Sequence, residues 1–318
     1  MKRAVTTNTA VKSSRHTLKD GLRQMGKDYQ LYLLILPALA YIIIFCYIPM
    51  YGVQISFKDY QFTKGILGSN WVGMKHFKAF FTLPNVWQII WNTFSISLYQ
   101  LIAGFPLPII LAIMINEVHH TKFKKTVQMV TYAPYFISSV VLCGMVIMFL
   151  SKDRGLINHI IALFGGERKE FMMMPQCFKT IFVFSDIWQT TGWGTIIYLS
   201  ALSAVDQQVV ESAQIDGANR LQKIWHVDIP CILPTIVILL IMRSGSLLSV
   251  GYEKILLLQN SLNMDASDVI STYTYRVGIV GGKFSYSSAI GLFNSVINFV
   301  ILVIVNFVAG KVGETSLW

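Results

Sequence analysis

Six stretches of this 318-residue chain run for the thickness of a membrane with almost no charge. Residues 29–57, 86–115, 126–151 and 284–310 contain no Lys, Arg, Asp or Glu at all. Between Lys179 and Asp206 the only charge is Asp186, and between Asp228 and Glu253 it is Arg243. A hydrocarbon core ~30 Å thick is crossed by about 20 apolar residues in a helix. Backbone groups there find no water, so they must bond within their own segment, and each run is expected to be helical. Prolines 37, 49, 106, 108, 134 and 234 fall in or beside these runs, where kinks and broken helices are expected.

Composition agrees. Charged residues make up 13% of the chain, about half the ~25% of soluble domains. The expectation is an all-α, polytopic membrane protein with six transmembrane helices filling residues 29–312. Its net charge of +10 does not imply a nucleic-acid partner, because seven of the 26 Lys and Arg lie in residues 1–28, ahead of the first span. Basic residues there set orientation. The short loop with Lys122, Lys124 and Lys125 carries the same sign, so the N- and C-termini are both expected in the cytoplasm. Residues 1–13 read as a disordered tail. The stretch "SSRHTLKDGLRQMGKDYQLY" alternates basic and apolar residues and reads as a short interfacial helix. Residues 313–318 form a C-terminal tail. The four cysteines are scattered, without metal-ligand spacing.

One polar segment, within residues 205–230, interrupts the apolar pattern. "ESAQIDGANRLQKIWHVDIPCILP" (211–234) holds three acidic and two basic residues. Asp206 is placed to cap a helix through "QQVVESAQI", and Gly217 to stop it in the left-handed conformation. Asn219 with Gln222 forms a capping-box pattern for a second helix, which Pro230 is expected to end. On the orientation above, this helix–turn–helix faces the cytoplasm. Physics alone leaves two readings open: a knob that docks into another protein, or an amphipathic connector on the membrane.

"ESAQIDGA" followed by "KIWHVDIPCILP" resembles the Glu-Ala-Ala-x-x-Asp-Gly-Ala motif of permease subunits of binding-protein-dependent ABC importers, with its later Ile/Leu-Pro pair. Glu211, Ala213, Asp216, Gly217, Ala218, Ile229 and Pro230 match, and Ser212 replaces one small residue by another. "GYEKILLLQN" (251–260), "DVISTYTYRVGI" (268–279), "SYSSAIGLFNSVINF" (285–299) and the terminal "ETSLW" are similar to the oligosaccharide, maltose-type branch, and most to permeases for polysaccharides or their fragments. The resemblance runs from the first span to Trp318. It implies a type I importer fold whose polar segment is a cytoplasmic coupling helix. Glu211, Ser212, Ala213, Asp216, Gly217 and Ala218 would contact an ATPase subunit. It also implies a heterodimer with a homologous second permease, two ATP-binding subunits that hold ATP and magnesium, an extracytoplasmic substrate-binding protein, and the bacterial cytoplasmic (inner) membrane. This chain would bind no cofactor itself.

Other motifs carry little chemistry. "GIVGGKF" (278–284) has three residues, not four, between its first Gly and the Gly-Lys, and Phe284 follows the lysine, so it does not make a phosphate loop. His119 and His120 are adjacent and diverge on a helix. No catalytic or metal set is expected, and the chain reads as a transport subunit, not an enzyme. Polar residues inside spans are the remaining candidates for a substrate pathway. Asn92, Ser95 and Tyr99 share a face of span two. Asp186, Gln189, Thr190 and Trp193 share one in span four, and Ser287, Gly291, Asn294 and Asn298 one in span six. Arg243 at the bilayer centre would cost ~2.5–3.5 kcal/mol on insertion scales. These groups either line a polar route for sugar or bond helix to helix. Arg243 faces the route, sits near an interface or pairs with Asp186, and in the first case an acidic sugar such as a uronate oligomer suits it. An ion-gradient-driven sugar carrier is the alternative, with Asp186 as its single candidate coupling carboxylate. A membrane-embedded enzyme is a weaker third, since no acid–base constellation supports it.

Overall fold

The computed structural model describes residues 29–313 together with Ser316 and Leu317. The basic tail lies outside the described residues, as does most of its expected interfacial helix, up to residue 28. The chain divides into two units, residues 1–54 and 55–318. In the first, helix α1 (Tyr29–Phe57) starts. It widens to a π turn over Ile43–Tyr47, before Pro49, and closes in tighter 3₁₀ turns from Tyr51. No side chain of Tyr29–Met50 is buried. A helix apolar on every side belongs in a membrane.

The second unit is almost entirely helical. In chain order come α2 (Lys75–Phe81), α3 (Val86–Asn116), α4 (Thr121–Tyr132), α5 (Ser139–Leu150) and α6 (Leu156–Leu163). Then follow α7 (Pro175–Ser203), α8 (Gln207–Ile215), α9 (Arg220–Ser244), α10 (Tyr252–Leu258), α11 (Ile270–Tyr275) and α12 (Phe284–Gly313). A two-residue antiparallel ladder, Lys58–Asp59 with Asn70–Trp71, is the sheet among the described residues.

Among the described residues four helices, α1, α3, α9 and α12, are long and apolar enough to cross a membrane. The run over 126–151 is broken at Pro134, one of the prolines where a kink or break is expected. α4, extended by a 3₁₀ turn to Phe136, meets α5 at a bend of 100°. Pro134 sits in that turn, Ile137 is extended, and Ser138 caps α5 by accepting the Val141 N–H at 3.4 Å. The Ile137 carbonyl freed by the break accepts a hydrogen bond from Gln189 Nε2 at 2.8 Å. A distant side chain thus satisfies backbone that no water would reach. The fourth expected span, α7, has 29 residues and so reaches ~43 Å. Lys179, Asp186, Gln189 and four threonines keep it outside the apolar set.

α7 is the axle of the unit and packs against α3, α4, α9 and α10. At Gly192 it meets the end of α4 so closely that a Cβ would stand 1.9 Å from the Thr131 carbonyl oxygen. Near its start, Phe178 and Phe182 join Ile96, Ile255 and Leu258 in one apolar cluster. Near its end, Tyr198 and Leu202 join Ala112, Ile115 and Ile232 in another. A third gathers Phe80, Ile89, Ile270 and Ile290. The stretches of α3 and α7 between the first two clusters are polar, and a cavity opens there.

Pro230 does not end a helix. α9 continues from Arg220 through Ser244. A π turn over Ile224–Asp228 lets the Ile229 N–H reach the Ile224 carbonyl. The wider turn falls just before the residue that has no N–H to give, so the ring is taken in without a stop.

Candidate functional site

The cavity between the two clusters measures about 230 Å³ and is lined mainly by polar groups, among them Ser97, Gln100, Asp186, Thr190, Arg243 and Ser246. Its centre is the Asp186 carboxylate on α7. Lys254 Nζ donates to it at 2.8 Å, and Gln100 Nε2 of α3 donates to its other oxygen. The side chains of Lys254 and Asp186 are only 8% and 16% exposed. Of the alternatives open for Arg243, the pair with Asp186 is not formed, because Lys254 holds that position. Arg243 lines the same cavity from the last turn of α9, with an exposed side chain and no carboxylate partner among the described residues. One carboxylate against two cations leaves the cavity with a net charge of +1.

Sequence reasoning missed Lys254 and Gln100. Lys254 follows Glu253 and reads as a loop charge. The available signal was its place one turn before Leu258, on a face of α10 that is buried.

The other expected pathway residues mostly bond structure to structure. Asn92 Nδ2 donates to the Asp265 and Asp268 carbonyls at 2.7 and 3.2 Å, pinning the loop before α11. Asn298 Oδ1 accepts the Leu248 N–H at 2.9 Å, and its Nδ2 donates to Ser249 Oγ at 3.0 Å, which fixes the segment between α9 and α10. Ser95 Oγ accepts from Lys179 Nζ at 2.7 Å. Gln189 is committed to Ile137, and Tyr99 packs on the first cluster. Trp193, 45% exposed, stacks on Tyr135 with centroids 4.5 Å apart and planes 5° apart. Asn294 keeps a buried Oδ1 without a hydrogen-bond partner among the described residues. The structure thus brings Asp186, Thr190 and Arg243 to one cavity and leaves the rest of the three faces elsewhere.

The polar segment forms a compact knob. Asp206 caps α8 by accepting the Gln208 N–H at 2.9 Å. The helix ends with Gly217 at φ +80°. The Gly217 N–H donates to the Gln214 carbonyl and the Ala218 N–H to the Ala213 carbonyl, both at 3.0 Å. That is the Schellman pattern, in which the two residues flanking the turn touch. It explains small residues at both Ala213 and Ala218. Both bonds of the Asn219–Gln222 capping box form. Glu211, Ser212, Asp216 and Gly217 are exposed, and a concavity of about 270 Å³ lies beside Ala213, Gly217, Ala218 and His226. Ile215, Leu221 and Trp225 of the knob are exposed, Ile215 at 86%. The knob is tied to α3 by Lys223, which pairs with Glu117 and lies 3.7 Å from the buried Asp228.

"GIVGGKF" shows why its glycines are present. A Cβ on Gly278 would stand 2.3 Å from Ser287 Oγ, and Gly282 turns the chain at φ +69°. They serve the close α11–α12 hairpin. His120 caps α4, its Nδ1 accepting the Phe123 N–H at 3.2 Å.

Residues 104–314, from the middle of α3 through α12, match the family described as binding-protein-dependent transport system inner membrane component. This chain belongs to that family. The matched region holds the knob, α7 and Arg243. Among relatives of this inner membrane component, the polygalacturonan/rhamnogalacturonan transport system permease protein YteP of Bacillus subtilis (strain 168) is 42% identical, over 91% of this chain and 90% of its own length. Protein LplB of the same organism is 41% identical, over 92% of each. A solved bacterial ABC transporter involved in the import of the acidic polysaccharide alginate superposes with a TM-score of 0.84 at 38% identity, covering 92% of this chain and 99% of that one. The bacterial alginate ABC transporter in complex with an alginate pentasaccharide-bound periplasmic protein gives 0.85 at 38% identity, with 93% and 99% covered.

Proposed function

We propose that this chain is the membrane-spanning permease subunit of an ATP-driven importer for acidic oligosaccharides or fragments of acidic polysaccharides. The observation that carries the acidic specificity is the polar cavity with its unpaired Arg243. Asp186 would repel a substrate carboxylate, but Lys254 neutralises it, so Arg243 is left to attract one. Ser97, Thr190 and Ser246 offer hydroxyls to sugar hydroxyls, and the Trp193–Tyr135 stack offers an aromatic face. The relatives named for polygalacturonan and alginate support the same substrate class.

In this reading six spans cross the bacterial cytoplasmic membrane: α1, α3, the bent α4–α5 pair, α7, α9 and α12. With both termini in the cytoplasm the knob between α7 and α9 faces the ATPases. Glu211, Ser212, Ala213, Asp216, Gly217 and Ala218 dock on one of two ATP-binding subunits, which hold ATP and magnesium. A homologous permease completes the route, and an external binding protein delivers the sugar. Closure of the ATPases moves the knob. Lys223 passes that movement to α3 through Glu117, and the start of α9 carries it directly, giving alternating access at the cavity. An ion-coupled carrier would need a free carboxylate in the membrane, and Asp186 is already committed to Lys254.

Uptake by the reconstituted importer tests the proposal, with a galacturonate oligomer and a neutral oligosaccharide compared. A hydrogen bond to a charged group contributes about 1.5–3 kcal/mol. At 1.4 kcal/mol per tenfold, Arg243→Gln should lower uptake of the acidic oligomer by roughly 10–100-fold and leave any neutral uptake unchanged. Equal acidic uptake by wild type and variant would remove Arg243 from the route. Uptake that persists without ATP and collapses with the ion gradient would overturn the importer itself.

A further inference from the structure

One lysine serves two carboxyl groups where the knob meets α3. Lys223 Nζ donates to Glu117, the residue that follows α3, and lies 3.7 Å from Asp228 Oδ2. All three side chains are largely buried, with 16% of Lys223, 17% of Glu117 and 3% of Asp228 exposed. Asp228 Oδ2 has no hydrogen-bond partner among the described residues. No other cationic side chain among them pairs with either carboxyl group. A buried carboxyl oxygen left without a donor is costly. Lys223 hydrogen-bonds one of the two acids, and in this structure it is Glu117.

Lys223 and Asp228 are five residues apart, which in a regular α-helix puts them about 140° apart around the axis. The π turn over Ile224–Asp228 widens the helix between them. Its hydrogen bonds span five residues, so it swings Asp228 towards the lysine. The two contacts of Lys223 then differ in what they join. Lys223 and Asp228 both ride on α9, whereas Glu117 belongs to the end of α3. Displacing α9 against α3 lengthens the Lys223–Glu117 contact and leaves Asp228 in place beside the lysine. An ammonium is a compact charge on a flexible stem with rotatable donors, so it can pass from one acid to the other without being stranded.

We propose that Lys223 is a two-position latch. It ties the knob to α3 through Glu117 in this structure, and it passes to Asp228 when the ATP-binding subunits drive the knob, which frees α3. Asp228 is a positioning residue that receives the lysine. The latch rests on the importer reading above: the tie to Glu117 transmits small movements to α3, and large ones open it. The test measures ATP hydrolysis by the whole importer in lipid nanodiscs, with and without its sugar-loaded binding protein. Glu117→Gln weakens the closed position, so hydrolysis without the binding protein should rise. Asp228→Asn removes the open position, so hydrolysis with the binding protein should fall. Each change should be about tenfold, the lower end of what a hydrogen bond to a charged group supplies. In a Lys223→Met background, Asp228→Asn should have no further effect. Asp228→Asn should also co-purify with its partners in normal amount, because it removes a carboxyl oxygen that lacks a hydrogen bond. Four results overturn the latch while wild-type hydrolysis stays coupled to the binding protein: neither acid variant shifting hydrolysis; both shifting it in the same direction, as a purely structural cluster would; Asp228→Asn keeping its effect without the lysine; or Asp228→Asn losing the complex. A wild-type complex that hydrolyses no ATP would instead remove the importer reading.

Discussion

The Asp186–Lys254 pair allows a double-mutant test of how dry the cavity is. Both side chains are largely buried, at 16% and 8% exposure, so solvent screens them little. Removing one partner from a buried pair leaves an uncompensated charge and costs about 3–5 kcal/mol. Asp186→Asn strands the Lys254 ammonium, and Lys254→Met strands the carboxylate with only Gln100 to hold it. The double variant Asp186→Asn/Lys254→Met strands neither, and such neutral replacements are often tolerated. Its stability should lie within about 1 kcal/mol of wild type, giving a coupling energy of at least ~5 kcal/mol by the cycle. At about 2 °C per kcal/mol for a chain of this size, each single variant should unfold roughly 6–10 °C lower, while the double variant stays near wild type. Scanning fluorimetry of the detergent-solubilised complex, at one fixed scan rate, reads these shifts. Transport adds a second axis. Asp186→Asn raises the cavity charge and Lys254→Met removes it, so acidic uptake should suffer more from the lysine change. Two small single effects that simply add would refute the reasoning, since the two groups would then be separately hydrated.

Two further predictions concern glycines. Gly192→Ala drives a Cβ into the Thr131 carbonyl, a backbone atom that cannot step aside, and should cost about 1–3 kcal/mol as overpacking does, seen as a lower unfolding temperature. At Gly217 the chain alone leaves open space for a side chain, although φ is +80°. Gly217→Trp should therefore leave the spans folded and abolish co-purification of the ATP-binding subunit, and normal co-purification would contradict the docking role.

What could be read from the sequence follows from the distance over which each feature is determined. The long uncharged runs forecast helices because lipid leaves the backbone no other partner. The knob was legible almost to the residue, since Asp206, Gly217, Asn219 and Gln222 act on backbone groups a few positions away. The break after Pro134 was legible only as a possible kink, because the side chain that satisfies the freed Ile137 carbonyl, Gln189, lies on another helix. The passage through Pro230 was hidden for a different reason. A π turn is a matter of one extra residue per turn, and no residue type announces it.

The polar faces inside the spans show how far composition can go toward function. Arg243, Asn92, Asn298 and Gln189 look alike in a sequence, each a costly group in an apolar run. In the fold, Asn92, Asn298 and Gln189 hold backbone that would otherwise be unpaired, so replacing them should damage the scaffold before it damages transport. The Arg243 side chain is exposed and has no carboxylate partner among the described residues. A cation without a carboxylate partner among the described residues, beside a carboxylate already paired with Lys254, is free to attract an anion, as the proposed substrate class requires. That asymmetry between committed and uncommitted groups, more than polarity itself, is what supports the proposed route past Arg243.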